Sequence, residues 1–189
     1  MRADADLGPE PLERRESADS GSEPLERGAD AELVVVSDRQ QDLAVDGGCW
    51  AGLMRHVLVE ERVAAPWEAG LSFVAAGEMA ALNARFRGID RSTDVLAFGA
   101  DDGTGPRAVG EPRLVGDVVI CPAVAAANAA ARHRLVQDEL ALLVVHGTLH
   151  LLGYDHTVDV DADAMEGREQ ELLARAEAAA EAPITGGWR

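Results

Sequence analysis

The stretch QDELALLVVHGTLHLL, residues 137–152, decides what kind of fold this chain can form. Apolar side chains occupy most of its positions, and a helix that is apolar nearly all round is buried in a core. Two histidines, His146 and His150, stand four residues apart within it. A helix places residues at that spacing on one face, with Cβ atoms about 5–6 Å apart. The stretch therefore predicts a buried helix that carries a pair of imidazoles.

Strand-like and helix-like segments alternate around this helix. β-branched and apolar runs predict four strands, at 33–36, 71–75, 95–98 and 115–121, and the first is expected to be a buried strand. Helical spacing of apolar residues predicts four more helices, at 49–63, 78–86, 123–132 and 162–180, the last on the surface. Strands interleaved with helices, without a long all-β section, favour an α/β or α+β domain of modest size.

The negative charge is concentrated near the two ends. The 189 residues include 34 Asp and Glu against 17 cationic residues, all Arg, for a net charge of −17. Taken alone, this charge argues against a protein that coats DNA or lies on an anionic membrane. Residues 1–32 and 157–189 hold eleven of the seventeen net negative charges, however. We predict a disordered acidic extension over 1–32, one domain over 33–180 and a C-terminal tail over 181–189.

The cysteines and the hydropathy indicate a cellular compartment. Cys49 and Cys121 lie 72 residues apart, form no CxxC pair and follow no secretory segment, which favours two reduced thiols. The longest apolar run, Leu140–Val145, is far shorter than the ~20 residues of a membrane span. We therefore expect a soluble, cytoplasmic protein.

A third histidine follows the pair closely. Gly153 is suited to end the helix in a left-handed conformation, and the turn after it can bring His156 to the same metal ion as His146 and His150. Three imidazoles leave one position of a zinc-like ion open, as in catalytic rather than structural sites. Zinc, nickel and other divalent ions all accept three imidazoles, so the spacing does not select among them.

The helix lacks the general base of the common zinc proteases. Gly147 stands where the HExxH motif has its Glu, so peptide hydrolysis is disfavoured and any base must come from elsewhere. Asp155 fits two roles equally well: orienting a ligand histidine, or stabilising the turn.

Four segments, taken in chain order, match the signatures of one known family. They are LNARFRGID (82–90), which is similar to LNxx(Y/F)RGxD; TDVLAF (93–98), similar to TDVLSF; LVGDVVIC (114–121), similar to LGDIxIC; and HGTLHLLGYDH (146–156), similar to the histidine signature. Together they resemble the YbeY family of metal-dependent endoribonucleases, bacterial rRNA maturation factors, over about residues 33–173. The chain departs from the family pattern at Ser92, Ala97 and Gly99, where Pro, Ser and Pro are usual.

The resemblance implies a fold, a cofactor and a substrate. The fold would be α+β, akin to the zincin scaffold, with a small mixed sheet packed with helices. One divalent ion, with zinc as the expected ion, would bind His146, His150 and His156. The activity would be hydrolysis of single-stranded RNA in 16S rRNA 3′-end maturation and ribosome quality control. The partners would be rRNA and the small ribosomal subunit with its proteins, and neither DNA nor a membrane.

The resemblance also suggests roles for individual residues. The functional arginine of the family falls on Arg87, and a guanidinium suits a phosphate because it binds two oxygens at once and offsets developing charge. Arg85 and Arg91 flank it in the densest cationic cluster of the core region, and with Arg55 they are expected to guide the RNA backbone. Asp117 falls at a family position linked to partner or substrate contact, although a buried strand Asp bonding a neighbouring loop is equally sensible.

Two other classes of function fit the same histidines. The chain would be a ribosome-assembly binding factor if the metal were mainly structural, in which case metal removal would unfold it. It would be a metal hydrolase of a small phosphoester or an amide if the cavity took small substrates, although the missing Glu counts against the amide.

Overall fold

The computed structural model describes residues 31–100, 111–154 and 159–181. Along these ranges the chain forms β1 (Glu32–Arg39), α1 (Gly47–Glu60), β2 (Trp67–Val74), α2 (Ala76–Arg87), β3 (Val95–Gly99), β4 (Arg113–Ile120), α3 (Pro122–Ala131), α4 (Val136–Leu151) and α5 (Asp159–Glu181). The order of strands and helices agrees with the sequence prediction, and the boundaries differ by four residues at most. The predicted extension up to residue 30 and the tail from 182 lie outside the described residues.

The four strands form one mixed sheet in the order β1-β2-β4-β3. β1 and β4 both run parallel to β2, while β3 pairs antiparallel with β4 and forms one edge. The prediction of an α+β fold with a small mixed sheet is therefore confirmed. As an edge strand, β3 has one side that no other strand of the sheet covers.

The main core lies between one face of the sheet and the helices α1, α4 and α5. It includes Leu53 of α1, Leu71 of β2, Val144 of α4 and Leu172 of α5, all buried. Because successive strand residues point to opposite faces, alternate residues such as Val119 turn away from this core. They join a smaller cluster against Met79 of α2.

The first strand corrects a sequence prediction. β1 was expected to be buried, but Leu33 and Val35 are 40% and 47% exposed, whereas Val34 and Val36 pack against the core. The reason is that helices cover one face of the sheet here and leave the other open: Leu114, on the central strand β4, is 61% exposed on the same open face. The side chains of β1 therefore alternate between buried and exposed, although the apolar run in its sequence does not show this alternation.

The central helix α4 approaches the sheet closely at Gly147. A Cβ at this position would lie 2.6 Å from Val118 Cγ1 and 3.3 Å from Val95 Cγ2, and the first of these separations is not tolerated in proteins. The absence of a side chain there thus permits the contact of α4 with β3 and β4. That contact places His146 and His150 beside the edge strand.

Two further expectations concern thiols and membranes. Cys49 and Cys121 carry thiols rather than a disulfide, as expected. No helix in the described part of the chain is both long enough and apolar enough to cross a bilayer.

Candidate active site

The two histidines of α4 face each other through the same ring atom. The centroids of the His146 and His150 rings lie 4.5 Å apart at an interplanar angle of 84°. Their Nε2 atoms are 3.1 Å apart. The i, i+4 spacing therefore brings two imidazole nitrogens together, as the sequence predicts.

The other ring nitrogens decide which tautomer each histidine adopts. His146 Nδ1 lies 2.7 Å from Glu169 Oε1, and His150 Nδ1 lies 2.8 Å from the carbonyl oxygen of Tyr154. A carbonyl and an ionised carboxylate only accept hydrogen bonds, so both Nδ1 atoms carry the proton and donate. In the neutral rings both Nε2 atoms then present lone pairs toward one another. Two lone pairs placed in this way suit a cation that binds both nitrogens.

This donor set fits a divalent metal ion. Imidazole nitrogens bind zinc at about 2.0–2.1 Å, so two of them at the tetrahedral angle stand about 3.3 Å apart, close to the observed separation. Ligand histidines characteristically donate their second ring N–H to a carboxylate or a backbone carbonyl, and both do so here. Among the described residues no group of three His, Cys, Asp or Glu side chains is placed to hold a metal. The predicted third ligand His156, and Asp155, lie outside the described residues.

Glu169 is a site residue that the sequence prediction missed. Glu169 lies on α5, which is predicted to be a surface helix, yet this residue is only 8% exposed. Its helix does have a buried stripe, formed by Met165, Leu172 and Ala176. Glu169 stands at i+4 from Met165 and at i−3 from Leu172, so it continues that stripe. The sequence did contain a signal for Glu169: it is a charged residue at a position that falls on the apolar face of its helix.

The end of α4 positions the second histidine. Gly153 adopts φ +89, a left-handed conformation that glycine takes at no steric cost, so the predicted helix end is confirmed. The chain turns there, and Tyr154 N–H donates to the carbonyl of Leu149 at 3.1 Å. This turn is what brings the Tyr154 carbonyl to His150.

One carboxylate connects the supports of both histidines. Glu61, directly after α1, accepts a hydrogen bond from Tyr154 Oη at 2.9 Å through one oxygen. Its other oxygen accepts from Arg168 Nε at 2.6 Å, and Arg168 is the neighbour of Glu169 on α5. Burial, together with the hydrogen bond to Glu61, raises the pKa of Tyr154. Glu61 therefore joins the segment that holds His150 to the helix that holds His146.

The histidine pair opens into a cavity of about 720 Å³. Its walls are formed by α4, by the segment that follows it, by β3 and by the end of α2, with Arg87, Thr93, Asp94, Val95, Leu96, Ala97, His146, Gly147, His150, Gly153 and Tyr154 as lining residues. Arg87 thus lines the same cavity as His146 and His150, although the chain separates it from them by about sixty residues.

The end of α2 presents a cluster of arginines near this cavity. Gly88 ends the helix at φ +70, and Asn83 Nδ2 donates to the carbonyl of Arg91 at 2.7 Å, which fixes the following turn. Arg85, Arg87 and Arg91 are all exposed. None of the three forms a salt bridge with a residue that the structure describes.

Two other predicted contact residues lie away from the histidines. Arg55 is on α1, where it pairs with Glu32 at 2.7 Å, so it does not join the arginine cluster. Asp117 is exposed on the open face of the sheet, so the alternative of a buried strand Asp is wrong. Its carboxylate covers Gly70, where a Cβ would lie 1.9 Å from Oδ1. It lines a different cavity, with Ser37 and Phe98.

The fold and the site define a class of protein. It is an α+β domain whose buried helix turns two paired imidazoles, each anchored at Nδ1, toward an open cavity beside an edge strand. The solution structure of a protein from Thermotoga maritima shares the fold, with a TM-score of 0.51 and 22% identity over 80% of this chain and 99% of that one.

Sequence comparison identifies the family within that class. The model of the family Endoribonuclease YbeY matches residues 35–177. A relative from Salinispora tropica with that name is 43% identical over 137 residues, which cover 69% of this chain and 87% of the relative. A second, from Pelotomaculum thermopropionicum, is 40% identical over 146 residues, 75% and 95% of the two chains. The chain belongs to the YbeY family, an enzyme family of the nuclease class, and the predicted resemblance is confirmed.

Proposed function

We propose that this chain is a metal-dependent endoribonuclease that cuts single-stranded RNA in the cavity beside β3. Membership of a family named for endoribonuclease activity supports the reaction class. The observation that carries the proposal is the convergence of His146 Nε2 and His150 Nε2, with both Nδ1 atoms held by acceptors. Arg87 lines the cavity into which this pair opens.

The three histidines would hold one divalent ion, with zinc as the expected ion. His146 and His150 supply two nitrogens, and His156 is proposed as the third ligand from the family signature. When bound, such an ion supplies Lewis acidity toward a phosphate oxygen and activates water. The chain contributes the geometry: Glu169 and the Tyr154 carbonyl hold the rings so that the Nε2 lone pairs face the cavity.

Arg87 is proposed to bind the phosphate that is cut. A guanidinium offers paired N–H donors that match two phosphate oxygens, and it stays charged at every physiological pH. Because Arg87 forms no salt bridge with a described residue, a phosphate that binds it displaces no carboxylate of the described part of the chain. Charge that builds on the phosphate oxygens during cleavage strengthens this contact, so Arg87 lowers the barrier as well as binding substrate.

The charge distribution suggests how the RNA arrives. A chain with net charge −17 repels a polyanion at long range, and among the described residues that line the cavity Arg87 is the one arginine. We propose that the ribosomal small subunit presents the strand, with 16S rRNA 3′-end maturation and ribosome quality control as the processes served in the cytoplasm. RNA binding by the isolated protein should then be weak and salt-sensitive.

The proposal is tested by comparing labelled single-stranded and duplex RNA of one sequence, with metal-loaded wild type, Arg87→Ala and Arg62→Ala. Arg62 is a matched control, because it too forms no salt bridge with a described residue but does not line the cavity. We expect cleavage of the single strand only, a loss of about 10²–10³-fold in kcat/KM for Arg87→Ala, and wild-type activity for Arg62→Ala. Equal activity of Arg87→Ala and wild type, or intact single-stranded RNA, contradicts the proposal.

A further inference from the structure

An exposed aromatic ring directly precedes Arg87, which lines the proposed catalytic cavity. Phe86, in the last turn of α2, is 54% exposed. The other large apolar residues exposed in the described part of the chain are aliphatic. Leaving an aromatic ring in water forgoes the stabilisation of burying it, so its position invites a functional explanation.

The orientation of this ring is fixed by a second aromatic residue. Phe98, on the edge strand β3, packs against Phe86 with centroids 4.8 Å apart and an interplanar angle of 62°. Such an edge-to-face contact holds a ring in one orientation. Phe98 itself is partly buried and packs on the small cluster around Met79. Phe86 is therefore a supported ring on a rigid base.

The ring lies among cations that no described carboxylate neutralises. The guanidinium carbon of Arg85 lies 5.0 Å from the Phe86 centroid. Five other described arginines, such as Arg39 and Arg132, pair with carboxylates, and a further three, such as Arg62, form no salt bridge with a described residue. What distinguishes the end of α2 is that three such arginines fall within seven residues, around one exposed ring. This concentration of arginines that no described carboxylate pairs with, next to an exposed ring, favours an anionic ligand that also has a flat apolar part.

The position of the ring relates it to the histidine pair. Arg87, the next residue, lines the cavity with His146 and His150. Ala97 of β3 lines the same cavity, whereas the next residue, Phe98, faces the opposite side of the strand and lines a second cavity with Asp117. Phe86, which packs on Phe98, therefore stands across the edge strand from the histidines. Because Phe86 and Arg87 are consecutive residues at the end of α2, a chain of nucleotides with one phosphate at Arg87 would reach Phe86 with a neighbouring base if it passed over the edge strand β3.

We propose that Phe86 is a stacking platform for one unpaired base of an RNA strand whose adjacent phosphate binds Arg87. This inference rests on the proposed endoribonuclease function and adds a cause for single-strand preference. Bases stack on aromatic rings and on arginine planes when they are free of a duplex, and a paired base does not offer its face. Arg85 covers the ring when RNA is absent, and it either moves to a phosphate or takes part in the stack.

Binding without cleavage isolates the contribution of the ring. Metal-free full-length protein is titrated, at low salt, into a short single-stranded RNA that carries one 2-aminopurine, whose fluorescence falls when it stacks. The oligonucleotide is prepared with the probe at successive positions and also with an abasic site at the position that responds. The protein variants are Phe86→Ala, Phe86→Leu, Phe86→Tyr and the control Leu135→Ala.

The expected result is specific to an aromatic face. One probe position is quenched by wild type and by Phe86→Tyr but not by Phe86→Ala or Phe86→Leu. The two quench-negative variants bind the intact oligonucleotide about 5- to 150-fold more weakly, and wild type binds the abasic strand equally weakly. Phe86→Leu keeps an apolar contact with Phe98, so its loss of quenching is not a loss of fold. Leu135, an exposed leucine at the start of α4, leaves affinity unchanged when truncated.

Two outcomes overturn the inference, and they differ from failure of the proposed function. If wild type cuts single-stranded RNA but Phe86→Leu binds equally well with the same quenching, the function stands and the platform is rejected. If affinity is unchanged but Phe86→Leu loses association with small-subunit proteins, the ring is a protein contact instead. If metal-loaded wild type neither binds nor cuts RNA, the proposed function fails and the platform with it.

Discussion

Glu169 offers a sharp test of the site because it touches a proposed ligand without being one. Its carboxylate lies 2.7 Å from His146 Nδ1 and is largely buried. Replacing it by Gln keeps an oxygen that accepts the Nδ1 proton but removes the negative charge. Replacing it by Ala removes the acceptor altogether, leaving an N–H donor in a partly buried place where it loses the carboxylate and gains little from water.

The size of the effect follows from this difference. Loss of a partner that orients a metal ligand lowers metal affinity by about 10–100-fold, or about 1.4–2.8 kcal/mol. We expect Glu169→Gln near the lower value, because the hydrogen bond survives and only its charge assistance is lost. We expect Glu169→Ala near the upper value, since the ring can then rotate or adopt the other tautomer.

Competition with a chromophoric zinc chelator measures the affinity directly. Glu166→Gln is the matched control, because Glu166 lies one turn earlier on α5, is exposed, and together with Glu169 and His146 lines a second cavity of about 510 Å³. It removes the same charge from the same helix without contacting the ring. Urea unfolding of the metal-free variants shows whether the fold has been preserved.

The reasoning is refuted if Glu169→Ala binds zinc as tightly as wild type while remaining folded. It is also refuted if Glu166→Gln and Glu169→Gln weaken binding equally, because general electrostatics would then explain both. The hydrogen bond is supported as the cause if zinc affinity falls in steps, being lower in Glu169→Gln than in Glu166→Gln and lowest in Glu169→Ala.

Three other variants test the surroundings of the site. Glu61→Gln weakens the link between the supports of the two histidines and should lower zinc affinity by about 3–10-fold. The control Glu60→Gln loses a different ion pair between α1 and α5 and should leave zinc affinity unchanged. Equal zinc affinities of the two variants in chelator competition argue against the link. Gly147→Ala should lower the free energy of unfolding in urea by about 1–3 kcal/mol through overpacking, despite a gain of about 1 kcal/mol in helix propensity; an unchanged or raised midpoint contradicts the close contact. Arg132→Ala removes the cation that pairs with Glu139, which is 1% exposed. We expect it to lower the free energy of unfolding in urea by about 1–3 kcal/mol. A change of less than about 0.5 kcal/mol would show that this ion pair does not stabilise the fold.

The central helix was predictable because its pattern has a single interpretation. An apolar stretch of that length can only be buried, and histidines at i, i+4 can only share a face. Gly153 likewise predicted the end of the helix, since the left-handed conformation is inexpensive for glycine alone. These local rules were sufficient for His146 and His150.

Features that depend on tertiary neighbours were less accessible. The run containing Leu33 and Val35 reads the same for a strand covered on both faces and for a strand covered on one, and only the placement of the helices decides between them. Glu169 required knowing that α5 packs beside His146. The placement of Asp117 depended on strand register, because its neighbour Val118 faces the main core and Asp117 therefore faces away.

The arginines illustrate both cases. Arg87 was assigned through a family motif, and the structure brings it to the histidine cavity. Arg55 was grouped with it because both are cationic residues of the core region, but α1 carries Arg55 to Glu32. Charge alone does not tell a paired arginine from an unpaired one, and the pairing depends on which elements are neighbours.

The central claim is that His146 and His150 hold a metal ion on which RNA cleavage depends. One experiment measures it: metal content by elemental analysis and cleavage of single-stranded RNA, on the same samples of wild type and His150→Ala, before and after chelation and zinc restoration. We predict about one divalent ion per wild-type chain, cleavage that is lost on chelation and regained with zinc, and neither metal nor cleavage in folded His150→Ala. Full cleavage by metal-free wild type, or by His150→Ala, would contradict the account.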